Sequence, residues 1–226
     1  MTTEEESLTF EVGDATVSGV AARPDGATAT IVVAHGAGAG MEHPFLSGFT
    51  RALNDEGIAT LRFNFPYREA GRRFPDRPPV AIAAWRVARD AAAARAPEGE
   101  PIWASGKSFG GRMASMAVAD GMAVAGLVYL GYPLHAPGKP DQPRDGHLYG
   151  LDAEPMLFLQ GRNDPFATPN EQLDEVVRRI GPNAVLEWIE DGNHSFEIKG
   201  RKRPAAEIGA SLAPRVAAFV RSASGA

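Results

Sequence analysis

Runs of consecutive apolar residues alternate along the chain with segments in which apolar residues recur every three or four positions. The runs are typical of strands covered on both faces in a parallel sheet, and the spaced pattern is typical of helices packed on that sheet. Strands are predicted at residues 29–34, 58–63, 101–105, 124–130, 156–160 and 185–189. Helices are predicted at residues 45–53, 80–94, 111–119, 173–180 and 208–220, the last one kinked by Pro214.

The beginning of the chain follows a different pattern. Residues 8–12 and 15–22 are separated by Gly13-Asp14, a good tight-turn pair, which predicts an antiparallel hairpin. The expected fold class is therefore α/β: a mainly parallel, doubly wound sheet of about eight strands with an antiparallel start and helices on both faces. The chain has 226 residues, of which 44% are apolar, and it shows no linker or repeat, so one domain over residues 1–226 is expected.

Composition narrows the classes of function. The formal net charge of −5, without a long block of one sign, gives no support for nucleic-acid binding. The chain has no cysteine and no HExxH motif, so we expect no disulfide, no cysteine nucleophile, no metal and no other cofactor. The acidic start is unlike a secretory signal, and no apolar run approaches the ~20 residues of a membrane span. A cytoplasmic protein without a membrane partner is expected, and its oligomeric state stays open.

The sequence Gly106-Lys107-Ser108-Phe109-Gly110 connects a predicted strand to a predicted helix. Glycines two positions before and after the central residue let the strand and the helix pass closely without clashing β-carbons. This GxSxG pattern predicts a nucleophile elbow with Ser108 at its tip. A phosphate-binding loop also ends in Gly-Lys-Ser, but its first glycine would stand where this chain has Pro101. A plain strand-to-helix turn with an incidental serine is the second alternative.

Other candidate groups also follow predicted strands, where open parallel sheets bind their ligands. They are His35 with the glycine-rich loop at 36–40, Asp164 in GRNDP, and His194 in DGNHSF. The chain order of serine, aspartate and histidine is that of α/β-hydrolases. His194 is expected to act as the general base for Ser108, and Asp164 to orient its imidazole.

Several of these assignments have alternatives. Asp152 and Asp191 stay open as the acid, and Asp164 could instead cap the helix near Pro169; Asp191 has the character of turn chemistry. His35 is expected to support its loop by hydrogen bonding. Structural roles are also open for three more histidines, His43, His135 and His147.

The chain resembles the α/β-hydrolase superfamily over about residues 17–219. It is most similar to the small dienelactone-hydrolase-like members and to the α/β-hydrolase-like domain of testis-expressed and NSL-complex-subunit proteins, through the segments HGAGAGMEHPF, FNFPYRE, GKSFGGR and DGNHSF. The resemblance implies an oxyanion hole made by the backbone N–H groups of Phe109 and Ala37, with Gly38 as the alternative to Ala37. Dienelactone hydrolases proper use a cysteine nucleophile, so their lactone substrate is not carried over to this chain.

The function expected from these residues is that of a serine hydrolase of the carboxylesterase-like type. It would cleave small carboxylic esters, or thioesters or amides, through an acyl-enzyme on Ser108. One alternative is a non-catalytic α/β-hydrolase-like scaffold for protein interactions. Another is an acyltransferase that uses the same triad with an acceptor other than water.

The loops give expectations about the substrate. Residues 131–155 are rich in proline and lack helical periodicity, which predicts an irregular loop instead of a helical cap and an open site for small esters. Lys107, Arg144, Arg68 and Arg72 would attract an acidic substrate unless they are solvated or paired with neighbours such as Glu69 and Asp76. The residues expected to bind substrate are Gly36, Gly38, Phe65, Tyr67, Lys107, Tyr132 and Leu134.

Overall fold

The computed structural model describes residues 3–151 and 153–224. Its strands are β1 (Glu5–Val12), β2 (Ala15–Ala22), β3 (Thr30–Ala34), β4 (Ala59–Phe63), β5 (Ile102–Lys107), β6 (Leu127–Leu130), β7 (Met156–Gly161) and β8 (Ala184–Ile189). They form one sheet in the order β1-β2-β4-β3-β5-β6-β7-β8. β1 and β2 form an antiparallel hairpin and β2 runs antiparallel to β4, whereas the other neighbours are parallel. The predicted α/β class and antiparallel start are confirmed.

Helices cover both faces of this sheet. They are α1 (Pro44–Asp55), α2 (Pro66–Glu69), α3 (Pro78–Ala93), α4 (Phe109–Ala119), α5 (Asn170–Ile180), α6 (Ala205–Ala210) and α7 (Ala213–Ala223), with a 3₁₀ turn at Gly146–Gly150. In the described ranges no helix is both long and apolar enough to cross a membrane.

The two faces of the sheet bury separate hydrophobic cores. Alternate side chains of a strand point to opposite faces, so on β3 Val32 and Ala34 enter one core and Ile31 and Val33 the other. The α4-side core collects the apolar faces of α3, α4 and α5. The α1-side core collects those of α1, α6 and α7. Each core therefore supports a different set of helices.

The predicted terminal helix is in fact two helices. The break lies at Ser211 and Leu212, and Pro214 occupies the first turn of α7. A proline is well tolerated there, because the first N–H groups of a helix have no intrahelical acceptor. The proline thus begins a helix instead of kinking one.

α1 and α6 approach each other to backbone contact. A β-carbon built on Gly48 of α1 would lie 2.1 Å from the Ala206 carbonyl oxygen, and one on Gly209 of α6 would lie 2.0 Å from the Phe45 carbonyl oxygen. Glycine is required at both positions, because real β-carbons do not make contacts this short. This contact fixes α6 beside the N-terminal end of α1.

The connection between β6 and β7 is irregular, as predicted for residues 131–155. Its described part contains the 3₁₀ turn at Gly146–Gly150 as its only helical segment. Asp152, one of the alternative acids, lies outside the described residues. The carboxyl ends of β5, β6 and β7 are consequently not covered by an inserted helical domain in the described part of this connection.

Candidate active site

Ser108 stands at the corner between β5 and α4. Its backbone has φ 50° and ψ −114°, a conformation that a non-glycine residue seldom adopts. The corner is tight enough that a β-carbon on Gly106 would lie 2.3 Å from the Gly111 nitrogen, and one on Gly110 would lie 2.6 Å from the Ala34 carbonyl oxygen. The glycines thus permit the close approach that presents the Ser108 side chain at the end of the sheet.

A chain of hydrogen bonds runs from this serine into the protein. The Ser108 hydroxyl lies 2.8 Å from His194 Nε2, and His194 Nδ1 lies 2.6 Å from Asp164 Oδ2. The carboxylate accepts from Nδ1–H, so Nε2 carries the lone pair and accepts from the hydroxyl. The Phe166 ring lies against the imidazole, with the ring centroids 4.3 Å apart. The imidazole is therefore held in the tautomer that can take a proton from Ser108.

Asp164 is fully buried and is held in place by further donors. Gln160 Nε2 donates to Oδ2 at 2.6 Å, and the Phe166 backbone N–H donates to Oδ1 at 2.9 Å. A buried carboxylate needs such partners to remain charged. The residue does not cap α5, since that helix begins after Pro169. Asp191 lies in an exposed turn with φ 58° and forms no hydrogen bond with the imidazole, so among the described residues Asp164 is the acid that contacts His194.

Lys107 binds the backbone of His194 and does not bind its imidazole ring. Its ammonium group donates to the His194 backbone carbonyl at 2.6 Å and lies 5.6 Å from the centroid of the Phe196 ring. Gly131 leaves room for this contact, because a β-carbon there would lie 3.1 Å from Lys107 Nζ. Burial lowers the pKa of Lys107 to about 8, although the Asp164 charge acts in the opposite direction. Lys107 thus fixes the backbone of the residue whose ring contacts the serine.

This contact gives an expected pH dependence. Above about pH 8 Lys107 loses its charge, and the bond to the His194 carbonyl is no longer charge-assisted. We expect the ester hydrolysis predicted from the sequence to fall on this alkaline side, and Lys107→Met to lower kcat/KM about tenfold and to abolish the alkaline limb. The measurement is kcat/KM for an aryl ester between pH 6 and 10, corrected for spontaneous hydrolysis. An unchanged limb in the methionine variant would contradict this role.

His35 supports the glycine-rich loop after β3. Its ring is fully buried, Nδ1 lies 2.9 Å from the Gly36 carbonyl oxygen, and Nε2 accepts from the Phe65 backbone N–H at 3.1 Å. Burial lowers the pKa of His35 to about 4, so the ring is neutral at neutral pH and serves as both donor and acceptor. These bonds tie the loops after β3 and β4 together. The other histidines also bond locally: His43 caps α1, while His135 bonds the Ala136 carbonyl and His147 bonds Ser115.

The two residues assigned to the oxyanion hole flank the serine. Phe109 is the first residue of α4, so its N–H is among those that a helix leaves without an intrahelical acceptor. Ala37 follows Gly36 in the loop that His35 supports, and both Ala37 and Phe109 line the cavity above Ser108. Backbone N–H groups at these positions would act together with the positive end of the α4 dipole.

The cavity above Ser108 has a volume of about 520 Å³ and two unlike sides. We call Phe45, Leu46, Ala205 and Ile208, contributed by α1 and α6, the apolar wall. We call Arg112 of α4 and Arg144 of the β6–β7 connection the arginine wall. The remaining lining residues are Gly36, Ala37, Ala39, His43, Lys107, Ser108, Phe109, Pro133, Phe166, His194, Ser195 and Glu197.

The structure corrects part of the predicted substrate-binding set. Four residues expected to bind substrate are core residues that the cavity does not reach: Phe65, Tyr67, Tyr132 and Leu134. The segment 64–71 contains α2, and the Tyr67 backbone N–H donates to the buried Asp76 carboxylate. Gly36 and Lys107 do line the cavity, whereas Gly38 does not.

The predicted cationic residues divide in the same way. Arg144 and Lys107 lie on the cavity, whereas Arg68 and Arg72 do not, and Arg72 is paired with Asp76. Sequence reasoning missed Arg112, Phe166 and the contribution of α6. For Arg112 a signal exists, because it stands four residues after Ser108, one helical turn along α4.

No group of three or more histidine, aspartate or glutamate side chains is arranged to hold a metal ion within residues 3–151 and 153–224. The site brings together a hydroxyl, an imidazole and a carboxylate in a hydrogen-bonded sequence, beside backbone donors. This arrangement suits nucleophilic attack by Ser108 on a carbonyl carbon.

Comparison with known proteins gives a family match over most of the chain. Residues 27–221 match the family described as an alpha/beta hydrolase domain. Among solved structures, the chain is similar to a dienelactone hydrolase from Anabaena variabilis, with 22% identity, a TM-score of 0.74, and coverage of 98% of this chain and 99% of that one.

Two further solved structures show the same fold. A lidless α/β serine hydrolase from Xanthomonas campestris has 21% identity and a TM-score of 0.74, with coverage of 98% of this chain and 96% of that one. A cold-adapted esterase from an Arctic intertidal metagenomic library has 18% identity and a TM-score of 0.69, with coverage of 97% of this chain and 95% of that one. At such identities the likeness extends to the fold alone.

Proposed function

Since the chain belongs to the α/β-hydrolase family, we propose that it is a serine hydrolase that cleaves small carboxylic esters through an acyl-enzyme on Ser108. The observation that carries this proposal is the unbroken chain of hydrogen bonds from Ser108 through His194 to the buried Asp164. A serine hydroxyl is a poor nucleophile at neutral pH and needs such a base within reach.

In the proposed acylation, Ser108 Oγ attacks the ester carbonyl carbon while His194 Nε2 takes the hydroxyl proton. The negative charge moves to the carbonyl oxygen, which accepts hydrogen bonds from the Phe109 and Ala37 N–H groups. The intermediate collapses as the bond to the alcohol oxygen breaks, and His194 returns the proton to that oxygen. Asp164 stabilises the imidazolium between these two proton transfers.

Deacylation repeats the same steps with water. His194 takes a proton from a water molecule, whose oxygen attacks the acyl carbon, and the proton returns to Ser108 Oγ as the ester bond breaks. The cavity of about 520 Å³ supports the proposal of a small ester as substrate, because a small ester needs no long apolar tunnel. An acyltransferase would differ only at this step, by admitting an acceptor other than water.

The test is labelling with a fluorophosphonate, which reacts with activated serines. We expect an adduct on Ser108 in the wild-type protein, located by mass spectrometry, and no adduct in Ser108→Ala. His194→Ala should label at least 100-fold more slowly, since it lacks the base. A folded wild-type protein that takes up no label would contradict the proposal and favour the scaffold role, in which the fold serves protein binding.

A further inference from the structure

The two arginines of the arginine wall have no acidic partner among the described residues. Arg112 and Arg144 form no ion pair and their guanidinium groups form no hydrogen bond there. Two other sheltered arginines are paired with acids: Arg62 with Glu5 and Glu42, and Arg23 with Glu100. Arg68 is half-buried and unpaired among the described residues, but it does not line the cavity. The arginine wall therefore presents positive charge to the cavity that the surrounding side chains leave free.

Arg112 is the more sheltered of the two. It is half-buried, and its Nε atom is fully enclosed without a hydrogen-bond partner. Burial, together with the nearby charge of Arg144, lowers the pKa of Arg112. Two like charges brought together in a partly desolvated place repel each other, and an anion between them would relieve this repulsion.

Neighbouring polar groups are already engaged elsewhere. The Tyr149 hydroxyl donates to Asp145 Oδ2, His147 Nε2 lies 2.8 Å from the Ser115 hydroxyl, and the Tyr132 hydroxyl donates to the Arg144 carbonyl oxygen. Glu197 also lines the cavity, but it is exposed and accepts from Asn193 Nδ2. Within the described residues, none of these groups forms an ion pair with Arg112 or Arg144.

The arginine wall also lies close to the reacting serine. The backbone N–H of Arg112 donates to the Ser108 carbonyl oxygen at 3.1 Å, so Arg112 stands one helical turn beyond the nucleophile on α4. A guanidinium binds a carboxylate through two parallel N–H donors, so two guanidinium groups can form a binding site for one carboxylate. The apolar wall consists of uncharged side chains only, so it offers no ion pair to a carboxylate.

We propose that Arg112 and Arg144 form a carboxylate-binding subsite, and that the preferred substrates are esters carrying a free carboxylate a few bonds from the scissile carbonyl. The inference rests on the proposed function, whose chemistry at Ser108 it leaves unchanged. The carboxylate binds on the arginine wall while an apolar part of the ester packs on the apolar wall.

The experiment compares matched pairs of esters. One pair places the charge on the acyl side: p-nitrophenyl hemiglutarate against p-nitrophenyl valerate. The other places it on the alcohol side: 4-acetoxybenzoate against its methyl ester. In at least one pair the charged ester should have a kcat/KM about tenfold or more above the neutral one, mainly through KM, as expected for one charge-assisted contact.

Variants assign that preference to the arginines. Arg112→Gln and Arg144→Gln should each lower kcat/KM for the preferred charged ester by about ten- to 100-fold and leave the neutral ester within about twofold. Arg144→Lys, which keeps the charge, should recover part of the loss. Arg73→Gln is the matched control, because Arg73 is exposed, forms no ion pair or side-chain hydrogen bond with any described residue and lies outside the cavity.

Equal rates within both pairs, or an equal loss on charged and neutral esters in the arginine variants, would overturn the subsite. If the wild-type protein turned over none of the four esters, the proposed function would fail for them instead. The subsite is then judged by calorimetric titration of glutarate. Binding that is lost in Arg112→Gln and Arg144→Gln but kept in Arg73→Gln would support it, and no binding to the wild-type protein would overturn it.

Discussion

Replacing Ser108 with alanine is expected to lower kcat/KM for an aryl acetate by about a millionfold, leaving only the residual catalysis that binding and the oxyanion hole supply. Alanine has no oxygen to form the acyl-enzyme, and no other described hydroxyl contacts the His194 ring. The measurement is the release of the phenol, followed with enough enzyme to detect rates near background.

The Ser108→Ala protein should remain folded. The Ser108 hydroxyl bonds only His194 within the described residues, and the glycines that shape the elbow are unchanged. Thermal unfolding and circular dichroism of the variant check this point. Ser222→Ala is the control, because the Ser222 hydroxyl bonds only a carbonyl of its own exposed helix end. A loss below tenfold in Ser108→Ala would rule out Ser108 as the nucleophile.

Asp164→Asn is expected to lower kcat by about 10⁴-fold with little change in KM. The asparagine oxygen would keep the bond from the Phe166 N–H, and the amide nitrogen would then face His194 Nδ1. That nitrogen donates, so the imidazole would carry its proton on Nε2 and could not accept one from Ser108. Gln160 accommodates the change by rotation, since its own Oε1 has no partner among the described residues.

The matched control is Asp191→Asn. This substitution removes the same charge at a position three residues before His194. Asp191 lies in an exposed turn with φ 58°, a conformation that asparagine adopts readily. Its kcat should stay within about twofold of the wild-type value. A comparable loss in both variants would mean that the net charge near His194 matters rather than the contact with Asp164. Steady-state kinetics at pH 7.5 distinguishes the two outcomes.

The features that sequence reasoning predicted are those determined locally. The elbow needs only glycines around Ser108, and the alternation of strands with helices needs only the spacing of apolar residues. Asp164 and His194 were found because each follows a strand whose carboxyl end lies at the same edge of the sheet as that of β5. The parallel sheet brings residues that are distant in the chain to the same edge. The order of the strands, with a candidate residue after each, is therefore enough to predict that Asp164 and His194 lie near Ser108.

The features that it could not predict depend on distant partners. Phe65 and Tyr67 are predicted to bind substrate, but their backbone N–H groups donate to His35 and Asp76 and their rings enter the core. No local sequence pattern predicts these two hydrogen bonds. Likewise, the glycines at 48 and 209 would each be expected to weaken a helix, and only the contact between α1 and α6 explains them. The apolar wall therefore could not be read from the sequence.

The placement of the two cavity walls has a consequence for how such a site diversifies. The apolar wall is anchored in the α1-side core and the arginine wall belongs to elements of the α4-side core, with the sheet between them. A substitution that reshapes one wall leaves the packing behind the other intact. Evolution or a directed library can therefore vary the two halves of the substrate independently, while the nucleophile between them keeps its geometry.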